Sequence, residues 1–152
     1  MSEVLEIINS GASIATVIAL GIAIWQIVLS RKQAQTDFED GLDREYREII
    51  HHLPIKAFLG ETLDDKEYQE ALPYLYRYID LCNQQVFLRQ QKRVGKVTWK
   101  YWRDGIKSNL SRHPFDKAWS DIKAKGQQSF SELKRLETFG FRDDPGSWGK
   151  SS

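Results

Sequence analysis

The sequence is short of the residues that usually announce chemistry. It has one cysteine, Cys82, in 152 residues. A single cysteine excludes an internal disulfide and fits a reducing compartment. There are three histidines, His51, His52 and His113. Two are adjacent and so point to different sides of a helix, whereas metal-binding helical pairs stand three or four apart. Glycines at 60, 95, 105 and 126 stand singly, so no glycine-rich loop is available to cradle a phosphate. No segment alternates apolar and polar residues over a strand's length. Repeats and low-complexity tracts are missing too. The net charge is only +1, which implies no global polyanion partner. No metal, no cofactor and no catalytic residue is expected.

The most consequential absence is of charge. Ile7 to Leu29 contains no Asp, Glu, Lys or Arg. As a helix these 23 residues reach roughly 34 Å at about 1.5 Å per residue. A hydrocarbon core is about 30 Å thick, so the segment predicts one membrane span. A cleaved signal peptide would carry a basic n-region, but Glu3 and Glu6 stand there instead. A buried helix of a soluble protein would show a polar face, and Ser10, Ser13, Thr16 and Gln26 are among the few polar side chains here. Trp25 suits an interfacial anchor. All 22 Lys and Arg follow residue 30, beginning with Arg31 and Lys32. The positive-inside tendency then puts the short N-terminus outside and the rest in the cytoplasm, at the cell (inner) membrane. Gly11, Ala15, Ala19 and Ala23 recur every four residues and share one helix face. Such a smooth face lets another transmembrane helix, from a second copy or a partner subunit, approach closely.

The remainder reads as helices. Ala34, Phe38, Leu42, Tyr46, Ile49 and Leu53 form one apolar stripe that Pro54 ends. Nothing separates this stripe from the span, so the two predict one long helix. A second helix starts near Asp64 or Asp65 and runs to about Gln91, with a kink or restart at Pro73. Leu72, Leu75, Ile79, Cys82 and Val86 are its core stripe, widened by Tyr76, Tyr78 and Phe87. A third, near Val97 to Leu110, buries Trp99, Trp102, Ile106 and Leu110. A fourth follows Pro114, with Phe115, Ala118, Trp119 and Ile122 inward. A fifth carries Phe130, Leu133, Leu136 and Phe139. The expected fold class is all-α: one N-terminal transmembrane helix (1–30), then a small irregular cytoplasmic helical bundle (31–142), then a flexible tail (143–152).

Two regions after the span invite a functional reading. Asp80 and Asn83 share a face of the second helix beside Tyr76. They predict either a hydrogen-bond network between helices, with Trp99 and Trp102 as partners, or a ligand site. Between Arg89 and Arg112 lies a basic, aromatic-rich stretch with only Asp104 in opposition. With Arg31 and Lys32, its Arg93, Lys96, Lys100 and Arg103 are candidates for lipid head-group contact. Nucleic acid is the weaker alternative, and a solvated face answering the acidic residues at 37–48 is the plainest. Cys82 sits on a core stripe and reads as a small hydrophobe.

The run Arg77 to Gln90, with Gly95, Trp99, Trp102, Gly105-Ile106, Pro114-Phe115 and Ala118-Trp119, resembles a group of uncharacterised small bacterial membrane proteins of the DUF4760 kind. The resemblance covers about residues 40–125. It implies one N-terminal span and a cytoplasmic helical domain, and it carries no established chemistry. The expected function is therefore that of a non-enzymatic single-span membrane protein, an accessory subunit, scaffold or regulator. The alternatives are a membrane-tethered enzyme or ligand sensor using the Asp80/Asn83 region, or an oligomerising membrane effector.

Overall fold

The protein is known from a computed structural model that describes the backbone of residues 2–126 and 128–149 and the side chains of 15–126 and 128–149. The described residues form six α-helices and no strand. They are α1 (Ser2–His51), α2 (Lys56–Leu59), α3 (Asp65–Gln90), α4 (Lys96–Leu110), α5 (Phe115–Lys125) and α6 (Ser131–Thr138). A 3-10 turn, Pro145–Ser147, follows. The fold is all-α, with one long apolar N-terminal helix and a small bundle after it, as the periodicity predicts.

The chain divides into two compact units, Met1–Phe38 and Glu39–Ser152. The boundary falls eight residues beyond the expected one at 30/31. In the first unit every residue from 15 to 34 is exposed, including Ala34, which was expected on the buried stripe. That stripe reaches the core only from Leu42 onward, through Ile49 and Leu53.

The second unit is built around α3. Its start is set by a reciprocal capping box: Asp64 Oδ1 accepts from the Glu67 N–H at 2.8 Å, and Glu67 Oε2 accepts from the Asp64 N–H at 3.0 Å. Two otherwise unpaired donors at the helix end are thereby satisfied. The expected restart at Pro73 does not occur. The ring is exposed, and Ala71 and Leu75 on either side are buried, so packing carries the helix across the lost hydrogen bond. On α3, Leu75, Ile79, Cys82 and Val86 are fully buried, while Tyr76 and Phe87, expected to widen that stripe, are about half exposed. α4, α5, α6 and the 3-10 turn all pack on α3. They bring Trp99, Ile106, Phe115, Trp119, Leu133 and Leu136 into the core. Phe139, expected inward, is 48% exposed because α6 has already ended. Phe130, just before α6, has φ 61°, a left-handed conformation that disfavours a bulky residue. Its ring is held edge-on against Tyr76 and Trp119, at 5.6 and 6.2 Å between centroids.

The expectation of a flexible tail from residue 143 is wrong for every described residue of it. Asp144 accepts two hydrogen bonds from Arg89 of α3, Nε and Nη2 each at 2.7 Å. Gln90 donates to the Gly149 carbonyl, and Trp148 donates to Asp143 and is 8% exposed. Pro145 is buried. Residues 150–152 lie outside the described set. The cause is a long-range ion pair and an aromatic anchor, neither of which leaves a periodic trace.

Candidate functional site

The apolar part of α1 comes first, because none of its described residues from 15 to 34 is buried. From Ala15 onward the helix contains an 18-residue window of mean hydropathy 1.4, none of it buried. It is long and apolar enough to cross a membrane. Val17, Leu20, Ile24 and Trp25 are each more than half exposed. Ala15, Ala19 and Ala23 lie along this helix with no protein cover, and Gly11 falls where side chains are outside the described residues.

The Asp80/Asn83 region is not assembled into a site. Asp80 is exposed and has no hydrogen bond or ion pair among the described residues. Asn83 turns away from it and fastens α6: its Oδ1 accepts from the Leu133 N–H at 3.0 Å, and its Nδ2 donates to Glu132 at 3.2 Å. Tyr76 stands against Phe130. Trp99 is buried with its Nε1 unpartnered, and Trp102 donates to Asp43 at 2.9 Å. Three of the five residues therefore serve three separate contacts, and Asp80 and the Trp99 Nε1 join none of them.

The basic stretch is likewise divided. Arg89 is taken by Asp144, and Arg112 donates to Asn109 and to the Phe58 carbonyl. Arg103 pairs with Asp104 and reaches the Arg142 carbonyl. Lys96 and Lys100 are exposed on α4, as is Arg93 before it. The acidic part of α1 answers α4 through hydrogen bonds. Glu39 accepts from the Gly95 N–H at 2.7 Å and the Thr98 hydroxyl at 2.6 Å. It supplies the helix-start carboxylate that Gly95 cannot.

The same side of α1 borders a pocket of about 260 Å³ between α1, α3 and α4. Asp43 and Tyr46 come from α1, Tyr78 and Gln85 from α3, and Tyr101, Trp102, Asp104, Gly105, Ile106 and Asn109 from α4. Tyr78 and Asn109 lie at its base, with Asn109 Nδ2 donating to the Tyr78 hydroxyl at 2.9 Å. Burial raises Tyr78 well above the ordinary tyrosine value, and desolvation raises Tyr46, so both stay neutral phenols. Beside Tyr78, burial pushes the Cys82 thiol up to about 12, which makes it an inert core residue. Gln85 is 5% exposed and lines the pocket.

A wider groove of about 590 Å³ runs between α3, α5 and the loop before α6. Three of its polar groups satisfy one another. Asp121 accepts from Lys117 at 2.9 Å and from the Tyr68 hydroxyl at 3.1 Å, and Lys117 Nζ sits 4.3 Å from the Tyr68 ring centre. Lys117 accordingly holds the Asp121 carboxyl below its ordinary value. Among the described residues no three His, Cys, Asp or Glu side chains gather as a metal site.

Of these residues, sequence reasoning named only Trp102 for the α1/α3/α4 pocket. The available signal was polarity at a buried step: Gln85 stands three after Cys82, and Asn109 three after Ile106. Comparison with known protein families, with curated proteins and with solved structures finds no match.

Proposed function

We propose that this chain is a non-enzymatic, single-span protein of the cell (inner) membrane. Its N-terminus faces out, its Glu39–Ser152 unit is cytoplasmic, and it acts as an accessory subunit, scaffold or regulator. The observation that supports this reading is the uncovered apolar helix from residue 15 onward. In water such a surface has a large unfavourable hydration free energy, and lipid removes it. Arg31 and Lys32, exposed directly after the span, support the orientation. Ala15 and Ala19 offer the face for a second transmembrane helix, and exposed Arg93, Lys96 and Lys100 offer head-group contacts. Kinship with bacterial single-span proteins of the DUF4760 kind belongs to the same proposal.

The test is carried out on the full chain in its membrane. Ala15→Leu with Ala19→Leu is expected to abolish co-purification of a partner or self-association in mild detergent while leaving membrane extraction unchanged. Undiminished association would remove the small-residue face from the reading. A chain released by carbonate or salt washing would overturn the span itself. A second reading, a membrane-tethered ligand sensor, is favoured by the α1/α3/α4 pocket with its buried Gln85.

A further inference from the structure

We infer that the pocket between α1, α3 and α4 is a binding site for a small organic cation, an amine or ammonium group carried on one ring or a few carbons. The inference goes beyond membrane anchoring and does not depend on it, because every lining residue belongs to the Glu39–Ser152 unit.

The first argument is an available acceptor. Gln85 is buried as a residue and borders the pocket. Its amide is not among the sealed, unpartnered polar atoms of the core, so the pocket leaves it wetted, and a ligand donor can replace that water. A donor placed in the pocket would meet its carbonyl.

The second argument is the sign of charge. The ionised groups on the lining are the carboxylates of Asp43 and Asp104. Asp104 is answered by Arg103 at 3.0 Å, and Asp43 Oδ1 accepts from Trp102, which leaves Asp43 Oδ2 for a ligand. Arg112 is not on the lining, and it donates to Asn109 and to the Phe58 carbonyl. An anion would be repelled here; a cation gains a charge-assisted hydrogen bond.

The third argument is the wall. Tyr46, Tyr78, Tyr101 and Trp102 line the same pocket with aromatic surface, the composition that attracts organic ammonium groups through their ring quadrupoles. A hard metal ion would want several oxygen ligands instead. The volume of about 260 Å³ lies just below the range of drug-sized pockets, roughly 300 Å³ upward, and sets the size of the ligand.

Gly105 provides a fold-preserving way to close the site. It lines the pocket, and a Cβ added there meets nothing within 4 Å. A Leu at 105 would therefore fill the mouth without displacing the core, and a side chain replacing mid-helix glycine favours the helix.

The experiment titrates the full chain in non-ionic detergent with phenethylamine, its neutral counterpart 2-phenylethanol and the anion phenylacetate, reading Trp fluorescence and melting temperature. Phenethylamine is expected to quench fluorescence saturably and raise the melting temperature, with 2-phenylethanol weaker by about tenfold or more and phenylacetate silent. Asp43→Asn keeps an acceptor for Trp102 and should erase most of the preference for the amine over the alcohol. Gly105→Leu should melt no lower than the parent and respond to neither. Equal binding of amine and alcohol would overturn the cation assignment. An undiminished response in Gly105→Leu, or none to the amine in the folded parent, would overturn the site.

Discussion

Residues 15–29 and α3 are both helical, and both carry Ile, Leu and Ala, yet they have opposite fates. The first stretch is apolar on all sides and not one of its residues is buried. The second is interrupted everywhere by charged and polar residues, and still eleven of its 26 residues are buried. The number of apolar side chains therefore does not decide what enters a protein core. A stripe with a polar back can be covered by neighbouring helices, because the rest of the cylinder stays wet. A cylinder apolar all round cannot be covered by so small a bundle, and it looks to another solvent.

The contrast is broken most directly by equal truncations in the two helices. Ile79 is fully buried and Ile22 is 49% exposed. Ile79→Ala is expected to cost about 2–4 kcal/mol in denaturant unfolding of the bundle. Ile22→Ala should leave the same transition within about 0.5 kcal/mol. Comparable losses from both would mean that the span is packed against protein after all.

The next largest effect sharpens what α3 organises. Deleting residues 143–152 removes the partner of Arg89, whose side chain is 13% exposed, and should destabilise the bundle by about 3 kcal/mol or more. A loose tail would be removed at no cost. The pair also predicts acid sensitivity. The hydrogen bond from Arg89 holds the Asp144 carboxyl below its ordinary value of 3.8. Its folded pKa is lowered, so its stabilisation is present above the ordinary value and is lost as pH falls below it. Thermal melts should therefore weaken as pH drops below about 4, and Asp144→Asn should be weaker at neutral pH with a shallower acid slope.

A smaller effect tests the start of α3. Asp64→Ala removes half of the capping box and should cost about 1 kcal/mol by thermal melting. The smallest concerns the residue that looked most chemical. Asp80→Asn touches no partner and should shift stability by less than about 0.5 kcal/mol. A larger shift would reinstate Asp80 in a network.

What was legible in the sequence was what local spacing encodes. The long apolar helix, the start of α3 near Asp64 or Asp65 and the stripes of α3 and α4 all depend on residues within a few turns of one another. What was illegible depends on partners far along the chain. Arg89 looked like one of a row of surface cations until Asp144, 55 residues later, placed it. Asn83 looked like half of a polar pair with Asp80 but is held by α6, 50 residues on. Gln85 and Asp43 form a common surface only when α1 and α3 are docked. One cue was available at the end of the chain: Trp148 is a large aromatic in a stretch otherwise read as solvated, and such a residue tends to be an anchor.

The stapling of Asp144 and Trp148 onto α3 has a consequence in time. A ribosome makes the apolar helix first and reaches Trp148 roughly 120 residues later. At about 5–20 residues per second that delay is on the order of ten seconds. Throughout it α3 lacks the last partner that closes its surface. The hydrophobic segment is thus free to find its solvent well before the bundle can finish, so the order of synthesis separates the two kinds of helix before folding does.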